Sequence, residues 1–240
     1  MRVCVLLVVS AIGLIASVAA VAEPPIGSRL GDRVVKGAVE DEATSARHAQ
    51  EYAACLVNRR ADKVQRLLSQ TNDAGYKAAY KDLTTGPIDC FDMGDDLNDV
   101  SAGWRFMIPA DIMRGMLAEQ LIKHDVARYA VLPVLPRQRT YSRTWYGATN
   151  RDVSVDEMAT CVSETDAPDT LSLLKTEPYS DQEGTAFAAL GPTLGACLRA
   201  GVKVAGNRQS LRAALADALY QRVANPVAVA TGAPETAKAH

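Results

Sequence analysis

A chain of 240 residues with 26 Lys and Arg against 28 Asp and Glu carries a formal charge of −2, so its composition gives no basic face of the kind nucleic acid requires. With 48% of residues apolar, it can build one or two compact domains around a real core.

The first segment reads as an address. Met1-Arg2 is a short positive start, Val3 to Val18 is apolar apart from Ser10, Gly13 and Ser17, and Ala20-Val21-Ala22 is a small-x-small cleavage pattern closed off by Glu23-Pro24-Pro25. These parts predict a secretory signal peptide over residues 1–22, the apolar run being short of the roughly 20 residues a membrane span needs. Cys4 lies within the run and away from the cleavage site, which argues against lipid attachment. Removing residues 1–22 leaves 25 Lys and Arg against 28 Asp and Glu, four cysteines, and no second apolar stretch able to span a membrane. Residues 23–42 read as a flexible mature N-terminus.

Residues 43–127 read as a first helical unit. Helices are expected over Ala43–Asn58, Asp62–Leu68 and Asp73–Leu83, with Thr84-Thr85-Gly86-Pro87 as a stop. The acidic stretch from Asp92 to Asp99 fails as a calcium loop, because its glycine is misplaced and no glutamate closes it. Pro109 then suits a first helical turn, and Ile112, Met113, Met116, Leu117 and Leu121 form one stripe at the 3.6-residue period.

Residues 128–150 differ in character and read as an extended connector. Pro133 and Pro136 bias the residues before them away from helix. Arg137, Arg139 and Arg143 follow, interleaved with Tyr141, Trp145 and Tyr146. Arginine and aromatics make interface anchors, so this strip is either a binding surface or packing that holds its neighbours in register with snorkelling arginines.

Residues 151–224 read as a second helical unit. Ser154-x-x-Glu157 and Ser180-x-x-Glu183 are capping boxes, Asp166-Ala167-Pro168 opens a further helix, and Gly191-Pro192 is expected to stop the helix begun near Asp181. Leu211, Ala214, Leu215, Ala218 and Leu219 form the last apolar stripe, and residues 225–240 read as a disordered tail. The fold class expected is all-α.

The two units align. Cys55 lies over Cys161 and Leu67-Leu68 over Leu173-Leu174 at an offset of 106; Cys90 lies over Cys197; and Met113–Leu121 lies over Leu211–Leu219 at an offset of 98. The last block superimposes Arg114 on Arg212 and Glu119 on Asp217. Collinear blocks of this kind predict two divergent copies of one unit. In an exported chain, four cysteines predict two bridges, and the duplication favours Cys55–Cys90 with Cys161–Cys197. No Cys-x-x-Cys pair is present for redox chemistry, and no cysteine–histidine spacing suits zinc.

Catalytic patterns are sparse. His48, His124 and His240 have no nucleophile motif with them, and the sequence lacks a P-loop, a Gly-x-Ser-x-Gly and a His-Glu-x-x-His. The carboxylates Glu119 and Asp217 could do acid–base work if they faced a cleft. Each follows an arginine by five residues on its helix, and simple surface placement accounts for that as well. Nothing in the pattern calls for a cofactor or a metal.

The paired Cys…Leu-Leu…Cys…Leu-Arg-x-x-Leu-Ala arrangement behind a signal peptide resembles small exported helical proteins common in alphaproteobacteria. That resemblance implies a Gram-negative envelope, hence the periplasm rather than the medium, and carries no activity with it. The expectation is therefore an exported, periplasmic or secreted, non-enzymatic helical protein that contacts an envelope protein or a small ligand. The competing expectation is an envelope hydrolase working through carboxylates. Neither involves nucleic acid or, after cleavage, a membrane anchor.

Overall fold

A computed structural model describes residues 41–85, 90, 108–199, 201–202 and 207–226. The signal segment, most of the mature N-terminus, the acidic stretch at 92–99 and the tail beyond 226 lie outside the described residues. The described chain is all-helical. In order come α1 (Glu42–Leu68), α2 (Asp73–Thr84), α3 (Ala110–His124), α4 (Val126–Ala130), a 3-10 turn (Thr144–Ala148), α5 (Val153–Thr165), α6 (Ala167–Leu174), α7 (Asp181–Cys197) and α8 (Arg208–Ala224).

Short polar side chains start most of these helices by accepting the first free backbone N–H groups. Asp41 accepts from Thr44, Asn72 from Gly75, Ser180 from Glu183 and Asn207 from Ser210. The capping box expected at Ser154 is displaced by two residues. Asp152 is the cap and accepts from Ser154 N, because its carboxylate lies nearer the first turn, and Glu157 is left for another partner. At Ser180 the box forms, but Glu183 reaches back to the N–H of Tyr179 rather than that of Ser180.

The two helices expected over 43–58 and 62–68 are one continuous element, α1, kinked where Arg60 leaves the helical region (φ −141°, ψ 38°). Between α5 and α6, Asp166 makes the same departure (φ −148°, ψ 54°), at the offset of 106 that relates the two cysteines. The stop expected at Gly191-Pro192 does not occur. Helix α7 runs through Pro192 to Cys197, and Ala188, whose carbonyl loses its partner to the proline, lies on the exposed side. The connector is less extended than its prolines suggest. Helix α4 carries the chain to Ala130 and the 3-10 turn spans Thr144–Ala148, so within the connector residues 131–143 and 149–150 lack regular structure. Proline restricts its own neighbourhood and leaves the flanking turns free to form.

Helices α3 and α8 form the centre and pack most extensively on each other. Helix α1 covers α3 and α5 covers α8, with α2 on α1 and α7 on α5. At the crossing, a Cβ on Gly115 would overlap the Ala213 backbone and side chain. Gly115 and Ala213 correspond at the offset of 98. The absent side chain lets the two central helices approach closely enough for their long polar side chains to interlock.

Two disulfides fasten the periphery. Cys55–Cys90 joins the middle of α1 to the segment ahead of α3, and Cys161–Cys197 joins α5 to the last turn of α7; the Cα separations are 5.6 and 5.7 Å. Closing loops of 35 and 36 residues removes denatured-state entropy worth roughly 3–4 kcal/mol each in the chain-entropy account. No described helix is long and apolar enough to cross a membrane.

Candidate functional site

Helix α3 is buried almost all round, from Asp111 to Gln120, and so is α8 from Gln209 to Leu219. The surface placement anticipated for Arg114, Glu119, Arg212 and Asp217 is therefore overturned: all four lie in the centre. An apolar stripe marks the face a helix buries against one neighbour, and these two helices are covered on several faces. Arg114 Nε donates to Asp217 at 2.8 Å, while Arg212 Nε and Nη2 donate to the two oxygens of Glu119, each at 2.8 Å. Each arginine thus takes the acid that its counterpart carries. The remaining donors cap helix ends. Arg114 donates to the Leu67 and Leu68 carbonyls that end α1, and Arg212 to the carbonyl of Leu174, which ends α6, and to that of Thr176 just beyond it. Full pairing of this sort is what allows guanidinium groups to remain in a protein interior.

Around Arg212 the network continues to Glu183, and Glu119 also receives Gln50 and Lys123. Burial acts to raise the Glu119 carboxyl, but Arg212 and Lys123 outweigh it and hold the group below the usual carboxylate range. Around Arg114 the connector enters. Arg151, wholly buried, donates to Asp156 at 2.8 Å and to Asp217 at 2.7 Å, and Thr149 donates to the other oxygen of Asp156. Burial also acts against Asp217, and Arg114 and Arg151 hold it low. Asp156 comes out the other way. Its burial dominates over Arg151 and the Thr149 hydroxyl, and its carboxyl is pushed up to about 6.

The carboxylates raised as hydrolytic candidates do not share a cleft. Asp217 is sealed inside, and Glu119 meets a crevice lined by Gln50, Met116, Tyr179 and Glu183 that has room for little more than a water molecule. Tyr179 closes this crevice in a left-handed backbone conformation (φ 62°), its hydroxyl placed between Glu42 and Gln209. Among the histidines, His48 is half-buried on α1, His124 is exposed in the last turn of α3, and His240 lies outside the described residues.

The connector strip divides. Tyr141 and Trp145 are buried, and Trp145 packs edge-on against Tyr146 over Val155, Met158 and Leu215. Tyr146 donates to the Thr160 hydroxyl, and Arg143 reaches Glu164 at 2.6 Å while lying over the Tyr141 ring. Leu135 N donates to the Glu164 carbonyl, and Arg222 donates to the Ser163 and Pro133 carbonyls. These contacts fix the strip to α5 and α8. Arg137 and Arg139 are left exposed, and neither meets a carboxylate among the described residues.

Those two arginines line a groove of about 300 Å³ between the connector and the ends of α5 and α7, with Tyr141, Ser154, Glu157 and Arg199. Glu157 is buried there. Its Oε1 accepts from Arg199, and its Oε2 has no donor among the described residues. A second groove, of about 210 Å³, lies on the other side of the connector between Leu132, Pro133, Trp145 and Arg222, and its charged groups are all used in the contacts above. Sequence reasoning singled out Arg137, Arg139 and Tyr141. It missed Arg199, which has no motif of its own, and took Glu157 only as the acid of a capping box; both are 18 or more residues from Arg139.

Comparison with family models, curated proteins and solved structures returned no match.

Proposed function

We propose that this chain is an exported, non-enzymatic helical module that works by binding, and that the connector groove is its binding face. One observation carries this reading. The aromatic half of the strip is locked into the core, while Arg137 and Arg139 stand on that rigid base at the edge of a groove without carboxylate partners. A surface whose backbone is anchored beside buried aromatics and whose cations are unneutralised is suited to an anionic partner. The central carboxylates have a different task in this account: arginines saturate them, and they hold the two halves together.

Export is part of the proposal, with the periplasm as compartment. It is supported by the two disulfides, which persist in oxidising compartments, and by the apolar segment with its Ala-x-Ala site. Duplication of a single unit is also proposed. It is supported by the matching kinks at Arg60 and Asp166, the equivalent bridges and the reciprocal arginine–acid exchange.

The test is a thermal-shift screen of the purified protein against peptides and small anions, with mass spectrometry of each mixture. The expected outcome is a ligand that raises Tm for the native chain, fails to do so for the Arg137→Gln, Arg139→Gln variant, and is recovered chemically intact. Turnover of any compound would overturn the non-enzymatic reading, and equal shifts in the variant would overturn the groove. Mass spectrometry of envelope-purified protein is expected to show Glu23 at the N-terminus; an intact Met1 would overturn cleaved export.

A further inference from the structure

We infer that the connector groove takes a peptide segment bearing acidic side chains, with a backbone N–H of that segment donating to Glu157. This rests on the groove being the binding face and adds the chemistry of what it binds. Two observations, independent of each other, set that chemistry.

The first is charge. Arg137, Arg139 and Arg199 face the groove against the single carboxylate of Glu157, so the groove is net positive. Arg137 and Arg139 are exposed, and guanidinium groups bind carboxylates through paired N–H donors. The second is the Glu157 oxygen. Glu157 is only 9% exposed, and its Oε2 lacks a donor among the described residues. A buried carboxylate oxygen in that state is costly, and a turn of the Glu157 side chain toward the groove brings it to an incoming N–H or O–H.

A ligand must therefore bring anionic groups for the arginines and a donor for Glu157 together. Inorganic phosphate or a phosphate monoester brings the first, but any O–H it keeps sits on the charged group itself, so it can meet Glu157 only by placing its negative charge against that carboxylate. A peptide brings both, because every residue other than proline carries an obligatory N–H, and Asp or Glu side chains supply the carboxylates. The size of the groove suits a short segment rather than a folded domain. Ser154 and Thr140 add hydroxyls along its walls.

The experiment uses the full mature chain, titrated with acetyl-Glu-Ala-Glu-Ala-Glu-amide, its all-lysine counterpart, and inorganic phosphate. Binding is read by calorimetry and by amide shifts in two-dimensional NMR. The acidic peptide is expected to bind with saturable shifts at Ser154, Glu157 and Arg199, more weakly as salt rises, and at least tenfold more weakly to the Arg137→Gln, Arg139→Gln variant. The lysine peptide and phosphate are expected not to saturate.

Glu157→Gln gives the discriminating sign. It releases Arg199 and makes the groove more positive, so purely electrostatic attraction would tighten binding of the acidic peptide. The donor contact requires binding to weaken several-fold instead. Tighter binding to Glu157→Gln would overturn the role of Glu157. Saturable binding of phosphate or the lysine peptide at these amides, with none of the acidic peptide, would overturn the ligand class and leave the groove as the binding face. Absence of any shift at the groove for every probe would overturn both.

Discussion

Arg114 and Asp217 lie 103 residues apart in sequence and meet at 2.8 Å with neither side chain exposed. The corresponding Arg212 and Glu119 repeat the arrangement with donor and acceptor exchanged between the central helices. Each half supplies one guanidinium and one carboxylate and receives the other's, so neither half completes its interior alone.

Breaking one of these pairs should be costly because the other charge stays behind. Arg114→Met is expected to destabilise the chain by about 3–5 kcal/mol, and Asp217→Leu by a similar amount. The double variant is expected to recover part of that loss, since Arg151 keeps Asp156 as its partner and loses only its contact to Asp217. Urea denaturation of the four proteins checks this. Additive losses would show that the two side chains do not act as a pair.

The close approach of α3 and α8 rests on a missing side chain. Gly115→Ala is expected to cost about 1–3 kcal/mol despite alanine's better helix propensity, because the Ala213 backbone cannot move aside cheaply. Gly195→Ala, at a helical glycine with open space around it, is the control and is expected to be neutral or slightly stabilising. Thermal unfolding of both variants distinguishes packing from propensity.

Asp156 gives the stability a pH dependence of opposite sign to that of its neighbours. Burial raises its folded pKa to about 6, so the folded state holds this proton more tightly than the unfolded chain does. Its contribution is greatest below about pH 4, falls as pH rises toward 6, and is constant above that, a change on the order of 3 kcal/mol. Glu119 and Asp217, held low by arginines once burial is outweighed, contribute stability above the ordinary carboxylate range and lose it as pH falls. Relative to Asp156→Asn, the native chain is expected to lose stability between pH 4 and 6. A difference between the two that is flat across this window would show that folding leaves the Asp156 carboxyl at its ordinary value.

The bridges should be separable. Cys55→Ser, Cys90→Ser is expected to lower stability by about 3–4 kcal/mol while Cys161–Cys197 persists. Non-reducing peptide mapping of the variant checks the remaining bridge, and a cross-linked peptide joining Cys161 to any partner other than Cys197 would contradict the pairing.

Much of this was legible in the chain. The bridges followed from an even cysteine set with matching spacings, and the kink at Arg60 fell in the gap between two expected helices. The centre was not legible, because periodicity reports which positions are apolar and is silent on polar positions that find partners over 90 residues away. A signal existed even so. Arg114/Arg212 and Glu119/Asp217 stay in register within blocks that are otherwise apolar. Surface positions have no reason to keep charge and spacing together, whereas a reciprocal pairing requires both. Arg151 had no such marker; it lies ahead of the aligned blocks, and its place depends on how the 3-10 turn delivers the chain into α5. Pro192 misled because a proline inside a helix is tolerated when the carbonyl it orphans faces solvent.

The reciprocal exchange also constrains the order in which the chain can mature. A polypeptide that emerges N-terminus first presents Arg114 and Glu119 about a hundred residues before Asp217 and Arg212 appear. Until then the first unit has two charged side chains at the face where its neighbour belongs, a face it cannot close by burying apolar surface. The paired centre is therefore completed only when the last helix has been made.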